Sequence, residues 1–407
     1  MSDQAYELRW GILGAGYISG AFVKDLLVDP ASRNVTDVVH RVVGVGSRSL
    51  PKAQNFIDNI PGLPKEHVIA YGSYKDLLDD PNVDVVYIGT PHSSHYDHVQ
   101  LCLCRGKHVL CEKPMTVNAQ QAKDLVKLAR EKQCFIMEAL WTRFMPITYN
   151  LQETIASGQI GEIQRVHADL SLNFNPDSLA SEHRLVNPKL AGGVLLDLGP
   201  YAWTMVALTL LHNQSQSHSS SFLNDMENAS KPRLPFPKVK ASGVLYKHPQ
   251  ASPMSRPVDG TVIAALEFPN PSGQTTQGLL ITSLFQNTNL ERAVTIYGTK
   301  GRIRIPHPIY CPSEYGVTVF NHSSDRTESA VNRDNPPKET VYKFNLPGNA
   351  RGYIWEADEV ARCIKSRAVE STRMPHAETI LMMEVFDEIR QQIGVKFPEQ
   401  VESFKSL

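Results

Sequence analysis

The chain has 407 residues, of which 42% are hydrophobic and 20% charged, and its formal net charge is −1. This length predicts two domains, and the near-zero charge excludes a broad basic surface for nucleic acid or an anionic membrane. The N-terminus lacks the apolar core of a signal peptide, and no apolar run approaches the roughly 20 residues that cross a bilayer. The six cysteines lack Cys-x-x-Cys spacing, so we expect free thiols, no metal site and a cytoplasmic protein.

The first candidate site is a glycine turn between a strand and a helix. An apolar strand over residues 8–13 runs into Gly14 and Gly16, and apolar residues at helical spacing follow from Ile18. Gly14 would make the tight turn, and Gly16 would let the backbone approach a pyrophosphate at the helix N-terminus. The third glycine of this fingerprint is replaced by Ser19. The context predicts a dinucleotide site in spite of that replacement.

The end of the second strand indicates which dinucleotide is bound. Residues 42–46 form this strand, and Ser47, Arg48 and Lys52 follow it where an NAD site normally has an acid. Two cations there would bind a 2′-phosphate, which an acid would repel. The alternative is that both are solvated charges at a helix start. We predict NADP rather than NAD.

Two further strand ends carry polar residues to the same edge of the sheet. Thr90, Pro91, His92 and His95 follow the apolar strand at 83–88. A lone histidine there would usually be structural, but two on the ligand edge suggest contact with cofactor or substrate, for which His95 is favoured.

A short strand at 109–111 ends on Glu112, Lys113 and Pro114, and Asn118 caps the next helix. This places Lys113 where ligands bind in open α/β sheets. The strand at 134–139 completes the repeated strand–helix units. They predict a doubly wound parallel sheet in residues 1–143.

Residues 144–407 have a different pattern. Alternating polar and apolar residues predict a mostly antiparallel open sheet in an α+β domain, with strands at 162–168, 262–268, 279–285, 293–297 and 302–305. A helix over residues 194–211 would carry Asp197 and Tyr201 on one face, because they are four residues apart. They could handle a proton, or Tyr201 could be a core tyrosine bonded to a helix carboxylate.

The segment 212–256 is rich in Ser, Asn and Pro, and we expect a polar surface insertion that is partly disordered. One short strand is expected in it at 243–246. Its histidines, His212, His218 and His248, lack metal-site spacing and are expected in solvent. Amphipathic helices at 355–367 and 377–393 close the chain.

Four motifs together resemble the glucose–fructose oxidoreductase / inositol dehydrogenase / MocA (Gfo/Idh/MocA) family over nearly the whole chain. They are Gly14-x-Gly16, Thr90-Pro91-x-x-x-His95, Glu112-Lys113-Pro114 and Gly192-Gly193-x-x-x-Asp197-x-Gly199-x-Tyr201. The segment 138–144 and a tyrosine rather than histidine at 201 resemble the branch of dimeric dihydrodiol dehydrogenases and fungal NADP-dependent D-xylose dehydrogenases. The resemblance implies an N-terminal Rossmann domain, a C-terminal substrate-binding and dimerisation domain, and a homodimer.

The resemblance also implies roles for the matched residues. Lys113 would be the catalytic lysine before a cis proline, Tyr201 would exchange the proton of the reacting hydroxyl, and Asp197 would position the substrate. A lysine ammonium within about 4–6 Å would lower the pKa of Tyr201. Cofactor contacts are expected from Gly14, Gly16, Tyr17, Ile18, Ser47, Arg48, Lys52, Thr90, Pro91, His92, His95, Glu112, Lys113, Trp141 and Arg143. Substrate contacts are expected from Trp141, Phe174, Asp197 and Tyr201.

These residues fit three functions. The first is NADP-dependent oxidation of an aldose, with D-xylose the leading candidate, at C1 to the lactone. The second uses the same site on trans-dihydrodiols or dicarbonyls, and the third is an NADP-sensing regulator without turnover. The presence of both Lys113 and Tyr201 argues against the regulator.

Overall fold

A parallel sheet forms the first half of the molecule. The computed structural model describes residues 5–215, 234–269, 275–320, 337–348 and 350–403. The strands of this sheet are β1 (Tyr6–Leu13), β2 (Val38–Gly46), β3 (Ile69–Tyr71), β4 (Val85–Ile88), β5 (His108–Glu112) and β6 (Ile136–Ala139). They lie in the order β3-β2-β1-β4-β5-β6, and every pair is parallel. This is the Rossmann order, which confirms the predicted doubly wound sheet.

The helices that link these strands are α1 (Tyr17–Leu26), α2 (Leu50–Asp58), α3 (Tyr74–Asp79), α4 (His95–Leu103) and α5 (Ala119–Glu131). Strands β4 and β6 are buried along their whole length, and β1 and β2 are buried toward their carboxyl ends, because helices cover both faces of the sheet. The strand order reverses between β1 and β4, so the ligand crevice opens at the carboxyl ends of these two strands.

An eight-stranded sheet forms the second half and confirms the mostly antiparallel prediction. Its strands are β7 (Ile163–Asp169), β8 (Lys238–Tyr246), β9 (Val258–Pro269), β10 (Thr275–Ser283), β11 (Val294–Gly298), β12 (Gly301–Ile305), β13 (Glu314–Val319) and β14 (Glu339–Lys343). Their order is β14-β13-β12-β11-β7-β10-β9-β8. Only β7 and β10 run parallel among the pairs described.

The helices of this half are α6 (Pro146–Ala156), α7 (Val194–Asp197), α8 (Gly199–Ser215), α9 (Tyr353–Lys365), α10 (His376–Ile393) and α11 (Glu399–Glu402). Helix α8 packs on β7 and β10. The helix can approach β10 closely because Gly278 has no side chain; a Cβ there would lie only 2.6 Å from Val206 Cγ1. In the described part of the chain, Pro188–His212 is the one helical stretch long and apolar enough to cross a bilayer. It is fully buried within the protein, as a core helix is.

The described residues of the predicted polar insertion at 212–256 contain more regular structure than the one short strand expected at 243–246. Helix α8 continues to Ser215, and β8 is a nine-residue strand paired with β9. His248, expected in solvent, is 2% exposed and its Nε2 lies 2.9 Å from the Leu179 carbonyl oxygen. His212 Nε2 lies 3.0 Å from Glu378 Oε2, whereas His218 and the rest of 216–233 lie outside the described residues. The polar composition misled because β8 is an edge strand, where exposed polar residues are usual.

Helix α9 returns from the second half to cover the parallel sheet. Asp358 on α9 makes a two-point ion pair with Arg33 at 2.8 and 2.9 Å, and its Oδ1 lies 2.9 Å from His40 Nε2. The Trp10 indole donates to His40 Nδ1 at 3.1 Å, which leaves the proton on Nε2 for the carboxylate. The two halves therefore share a buried polar contact, and the domain boundary at residue 143 stays a prediction.

We predict that Asp358→Asn lowers the free energy of unfolding by about 3–5 kcal/mol. The reason is that the Arg33 and Asp358 side chains are only 3% and 1% exposed, so the substitution leaves the buried Arg33 guanidinium without a charged partner. A matched control is Asp37→Asn, because Asp37 pairs with Arg362 on the same helix with both side chains over 40% exposed. That change should cost about 0–1 kcal/mol. Urea denaturation monitored by fluorescence measures both, and equal losses would contradict the assignment.

Candidate functional site

The glycine turn after β1 has the geometry that a dinucleotide needs. Gly14 has φ +105°, and a Cβ on it would lie 3.0 Å from the Gly89 carbonyl oxygen. Helix α1 begins after Gly16 with no side-chain cap and no acid in its first turn. Its first N–H groups are therefore available to an anion, and the missing side chain of Gly16 leaves room for one. The turn fits the pyrophosphate of a nicotinamide dinucleotide.

The structure explains why serine can replace the third glycine. Ser19 is fully buried, and its Oγ lies only 2.2 Å from where a Cβ on Gly89 would be. Gly89, at the end of β4, therefore provides the close packing with α1 that the third glycine of the fingerprint usually provides. Ile18 is half-buried beside the core and Tyr17 is 75% exposed.

The predicted phosphate clamp lies at the end of β2. Ser47 is buried, with its backbone N–H donating to the Tyr71 carbonyl oxygen, while Arg48 and Lys52 are exposed. Within the described ranges, neither cation forms an ion pair with a carboxylate, and β2 ends without an acid. Both are therefore free to bind a 2′-phosphate.

The two histidines after β4 have different environments. His95 is fully buried, and its Nδ1 and Nε2 lie 2.7 Å from the carbonyl oxygens of Pro114 and Thr90. This placement differs from the expected ligand contact, because both ring nitrogens are used to join the loops after β4 and β5. His92 instead lies at the site, with Nε2 4.0 Å from Asp197 Oδ1. Thr90 Oγ1 lies 3.0 Å from His98 Nδ1, and Pro91 precedes the turn.

Lys113 joins the two halves at the end of β5. Its Nζ donates to the Asp197 carbonyl oxygen at 2.5 Å and lies 3.3 Å from Asp197 Oδ1. The Lys113–Pro114 peptide bond is cis, as the resemblance implied. The turn is fixed from behind by Glu138, whose carboxylate accepts the Met115 N–H at 3.0 Å. The sequence prediction that Lys113 lies at the ligand edge is consistent with this placement.

Arg184 completes this charge cluster and was missed in the sequence. Its Nη1 donates to Asp197 Oδ1 at 2.7 Å. Burial raises the pKa of Asp197, but Lys113 and Arg184 outweigh that effect and hold the pKa well below its usual range. Asp197 is therefore ionised. Arg184 lies in an irregular loop, so no periodic pattern could mark it.

Tyr201 lies beside Lys113 in an aromatic wall. The Lys113 Nζ is 5.0 Å from the centroid of the Tyr201 ring, and the Trp141 indole donates to the Tyr201 hydroxyl at 2.8 Å. Trp141 stacks on Tyr353 with centroids 4.3 Å apart, and the Tyr310 ring is 5.7 Å from Tyr201. Leu198 separates α7 from α8, so Asp197 and Tyr201 stand on two short-linked helices rather than the one expected.

The pKa of Tyr201 differs from the sequence-based expectation. Burial raises that pKa well above its usual value, and the nearby Glu112 raises it further, whereas the Trp141 hydrogen bond lowers it. Glu112 is buried and accepts the Tyr87 hydroxyl at 2.6 Å. The expected lowering by Lys113 does not prevail, because burial and the charge of Glu112 act in the opposite direction. Tyr201 is thus a neutral phenol in this state.

Two other expected contact residues lie away from this cluster. Arg143 is fully buried and pairs with Glu378 on α10, and its Nη1 donates to the Arg373 carbonyl oxygen at 3.0 Å. It therefore holds α10 to the core, in contrast to the expected cofactor contact. Phe174 is half-buried against the core, with its N–H donating to the Leu284 carbonyl oxygen. Across the described part of the chain, no group of three His, Cys, Asp or Glu side chains could hold a metal.

Comparisons with known proteins agree with this geometry. Residues 8–140 match the profile of the GFO_IDH_MocA oxidoreductase family with an NAD-binding Rossmann fold, and residues 149–304 match the GFO/IDH/MocA C-terminal domain. The chain is 38% identical to a D-xylose 1-dehydrogenase (NADP(+)) of Hypocrea jecorina, over 98% of this chain and 95% of the relative.

It is also 36% identical to a trans-1,2-dihydrobenzene-1,2-diol dehydrogenase of Sus scrofa, over 96% of this chain and 98% of that protein. A levoglucosan dehydrogenase solved with NADH and levoglucosan has the same fold, with a TM-score of 0.73 at 18% identity over 95% of this chain and 97% of that one. The two profile matches and the two full-length relatives show that this chain belongs to the Gfo/Idh/MocA family of oxidoreductases.

Proposed function

We propose that this chain is an NADP-dependent dehydrogenase that oxidises an aldose, D-xylose above all, at C1 to the lactone. The observation that carries the proposal is the convergence of Lys113, Asp197 and Tyr201 at the carboxyl-end edge of the parallel sheet, the edge that also carries the glycine turn. The relative that is 38% identical supports both the sugar and the cofactor. A nicotinamide ring, when bound, supplies the acceptor for the hydride that leaves C1.

Each residue of the cluster has a distinct task in this proposal. Asp197 is ionised and can accept a hydrogen bond from a sugar hydroxyl, while Lys113 and Arg184 hold its carboxylate in place. The Lys113 ammonium and the Trp141 N–H both lie next to Tyr201. They stabilise the phenolate form of Tyr201, which is the form that takes the proton of the C1 hydroxyl.

The neutral phenol gives the two reaction directions different pH dependences. In carbonyl reduction, the Tyr201 O–H donates the proton directly. In sugar oxidation, the phenol must first lose its proton, and burial makes this step unfavourable at neutral pH. Oxidation should therefore require higher pH than reduction.

A second candidate function is the oxidation of trans-dihydrodiols of aromatic compounds. The observation that favours it is the aromatic wall of Trp141, Tyr310 and Tyr353, which suits an apolar ring. The relative that is 36% identical carries out this type of oxidation according to its name. Arg184 and His92, beside Asp197, supply polar partners that suit the several hydroxyls of a sugar better than the two hydroxyls of a dihydrodiol. We therefore place the aldose first.

We also infer a cytoplasmic homodimer. The open face of the eight-stranded sheet carries exposed apolar side chains, among them Val244 and Ile263, which are 59% and 50% exposed. A second copy of the chain would cover them by two-fold symmetry. Sedimentation that finds only a monomer at micromolar concentration would reject the dimer.

The first prediction for activity concerns substrate and cofactor. D-xylose with NADP should give a strong initial rate of NADPH formation, and NAD should give a much weaker one. Arg48→Gln should raise the KM for NADP about 10–100-fold, the loss expected for a charged hydrogen bond, and leave the KM for NAD nearly unchanged. A rate with trans-dihydrodiols but none with D-xylose would favour the second function.

The second prediction concerns Tyr201. Tyr201→Phe should lower kcat by about 10²–10⁴-fold, the usual contribution of a general acid or base, with little change in NADPH affinity. In the wild type, kcat/KM for xylose oxidation should rise with pH from neutral to alkaline, because the base form of Tyr201 becomes populated. A Tyr201→Phe variant with the wild-type rate and pH profile would contradict this role.

A further inference from the structure

A basic groove lies between α1 and α2, next to the glycine turn. Its volume is about 320 Å³, and its lining includes Gly16 and Tyr17 at the turn together with Lys24, Lys52 and Arg351. Three cations line the groove, and none of its lining residues is acidic. Such a concentration of positive charge attracts an anion and raises its local concentration.

Arg351 reaches this groove although it lies more than 300 positions from the glycine turn in the sequence. The buried carboxylate of Asp25 on α1 accepts the backbone N–H groups of Arg351, Gly352 and Tyr353 at 2.8–3.0 Å. The guanidinium of Arg351 then lies 5.3 Å from the centroid of the Tyr17 ring. Helix α1 therefore carries both the turn that faces the dinucleotide and the carboxylate that fixes Arg351.

The charges in the groove lack acidic partners of their own. Lys24, Lys52 and Arg351 form no ion pair with any carboxylate of the described residues, whereas the cations around Asp197 do. The Asp25 carboxylate is engaged by the three backbone N–H groups. Like charges that share a groove repel one another, so a bound anion would relieve that repulsion.

We propose that Lys24 and Arg351 form an anion subsite that binds a phosphate group of the dinucleotide, opposite the glycine turn. This rests on the proposed function only for the identity of the cofactor. The phosphate can be the 2′-phosphate, for which Lys52 is a predicted partner, or the diphosphate, for which Gly16 is. Both phosphate groups offer the same charge and oxygen acceptors to the two cations, and comparing NADPH, NADH and 2′,5′-ADP distinguishes them.

The subsite also connects the cofactor to the substrate pocket. Gly352 approaches Trp141 so closely that a Cβ on it would lie 3.1 Å from the indole ring, and Tyr353 stacks on the same ring. Trp141 in turn donates to the Tyr201 hydroxyl. The segment that presents Arg351 to the phosphate thus ends on the wall of the catalytic cluster.

The test is direct binding of nucleotides to the full chain without sugar, by calorimetry and by NADPH fluorescence. Arg351→Gln and Lys24→Gln should each raise the Kd for NADPH about 10-fold, the loss expected for one charged contact at a partly exposed site, and reduce its salt dependence. The matched control is Lys132→Gln, an exposed lysine at the end of α5, which should leave the Kd unchanged. Melting temperatures check that each variant is folded.

The ligands NADPH, NADH and 2′,5′-ADP distinguish the two sources of phosphate. Weaker binding of NADPH and 2′,5′-ADP with unchanged NADH assigns the subsite to the 2′-phosphate. Weaker binding of NADPH and NADH alike assigns it to the diphosphate. Unchanged binding of all three by both variants overturns the subsite, whereas NADPH binding without xylose turnover by the wild type contradicts only the proposed function.

Discussion

The contact between Lys113 and Asp197 is the interaction on which the site depends. It joins the carboxyl end of β5 in the parallel sheet to the end of α7 in the second half, through both a backbone oxygen and a carboxylate. The two side chains are only 11% and 6% exposed. A buried charge pair is stable only when its remaining polar atoms have partners. Arg184 is one such partner, because it donates to the Asp197 carboxylate. The pair also places the Lys113 ammonium beside Tyr201.

The surroundings of the pair keep it in one geometry. His95 and Glu138 hold the loop that carries Lys113, and both side chains are buried. On the other side, Trp141 and Tyr353 fix the Tyr201 hydroxyl. Tyr353 belongs to α9, which Asp25 and Arg33 tie to the parallel sheet. The dinucleotide half of the molecule therefore shapes the substrate pocket as well as the cofactor site.

Much of this architecture could be predicted from the sequence because it follows from local patterns. The glycine turn, the end of β5 and the acid–tyrosine spacing at Asp197 and Tyr201 each occupy a few consecutive residues. Arg184 and Tyr353 could not be found in this way, since they reach the site from an irregular loop and from a distant helix. His95 was misjudged because a motif shows that a histidine is near the site but not where its ring nitrogens point.

The edge strand β8 shows a second limit of sequence patterns. Its polar residues suited a solvent-exposed insertion, yet its backbone pairs with β9 over its full length. The raised pKa of Tyr201 shows a third limit. The Lys113 Nζ lies 5.0 Å from the Tyr201 ring centroid, but burial and the nearby Glu112 decided the direction in which the pKa of Tyr201 moved. Tertiary contacts, rather than composition or spacing, set both outcomes.

The most direct test of the account is the transfer of deuterium from D-xylose labelled at C1 to NADP, followed by mass spectrometry. The wild type and Lys113→Met should be compared at concentrations where both bind NADPH. We predict labelled NADPH from the wild type and a rate lower by orders of magnitude from the variant, because it lacks the ammonium that joins Asp197 to Tyr201. Transfer by Lys113→Met at the wild-type rate would contradict the claim that this contact organises the reaction.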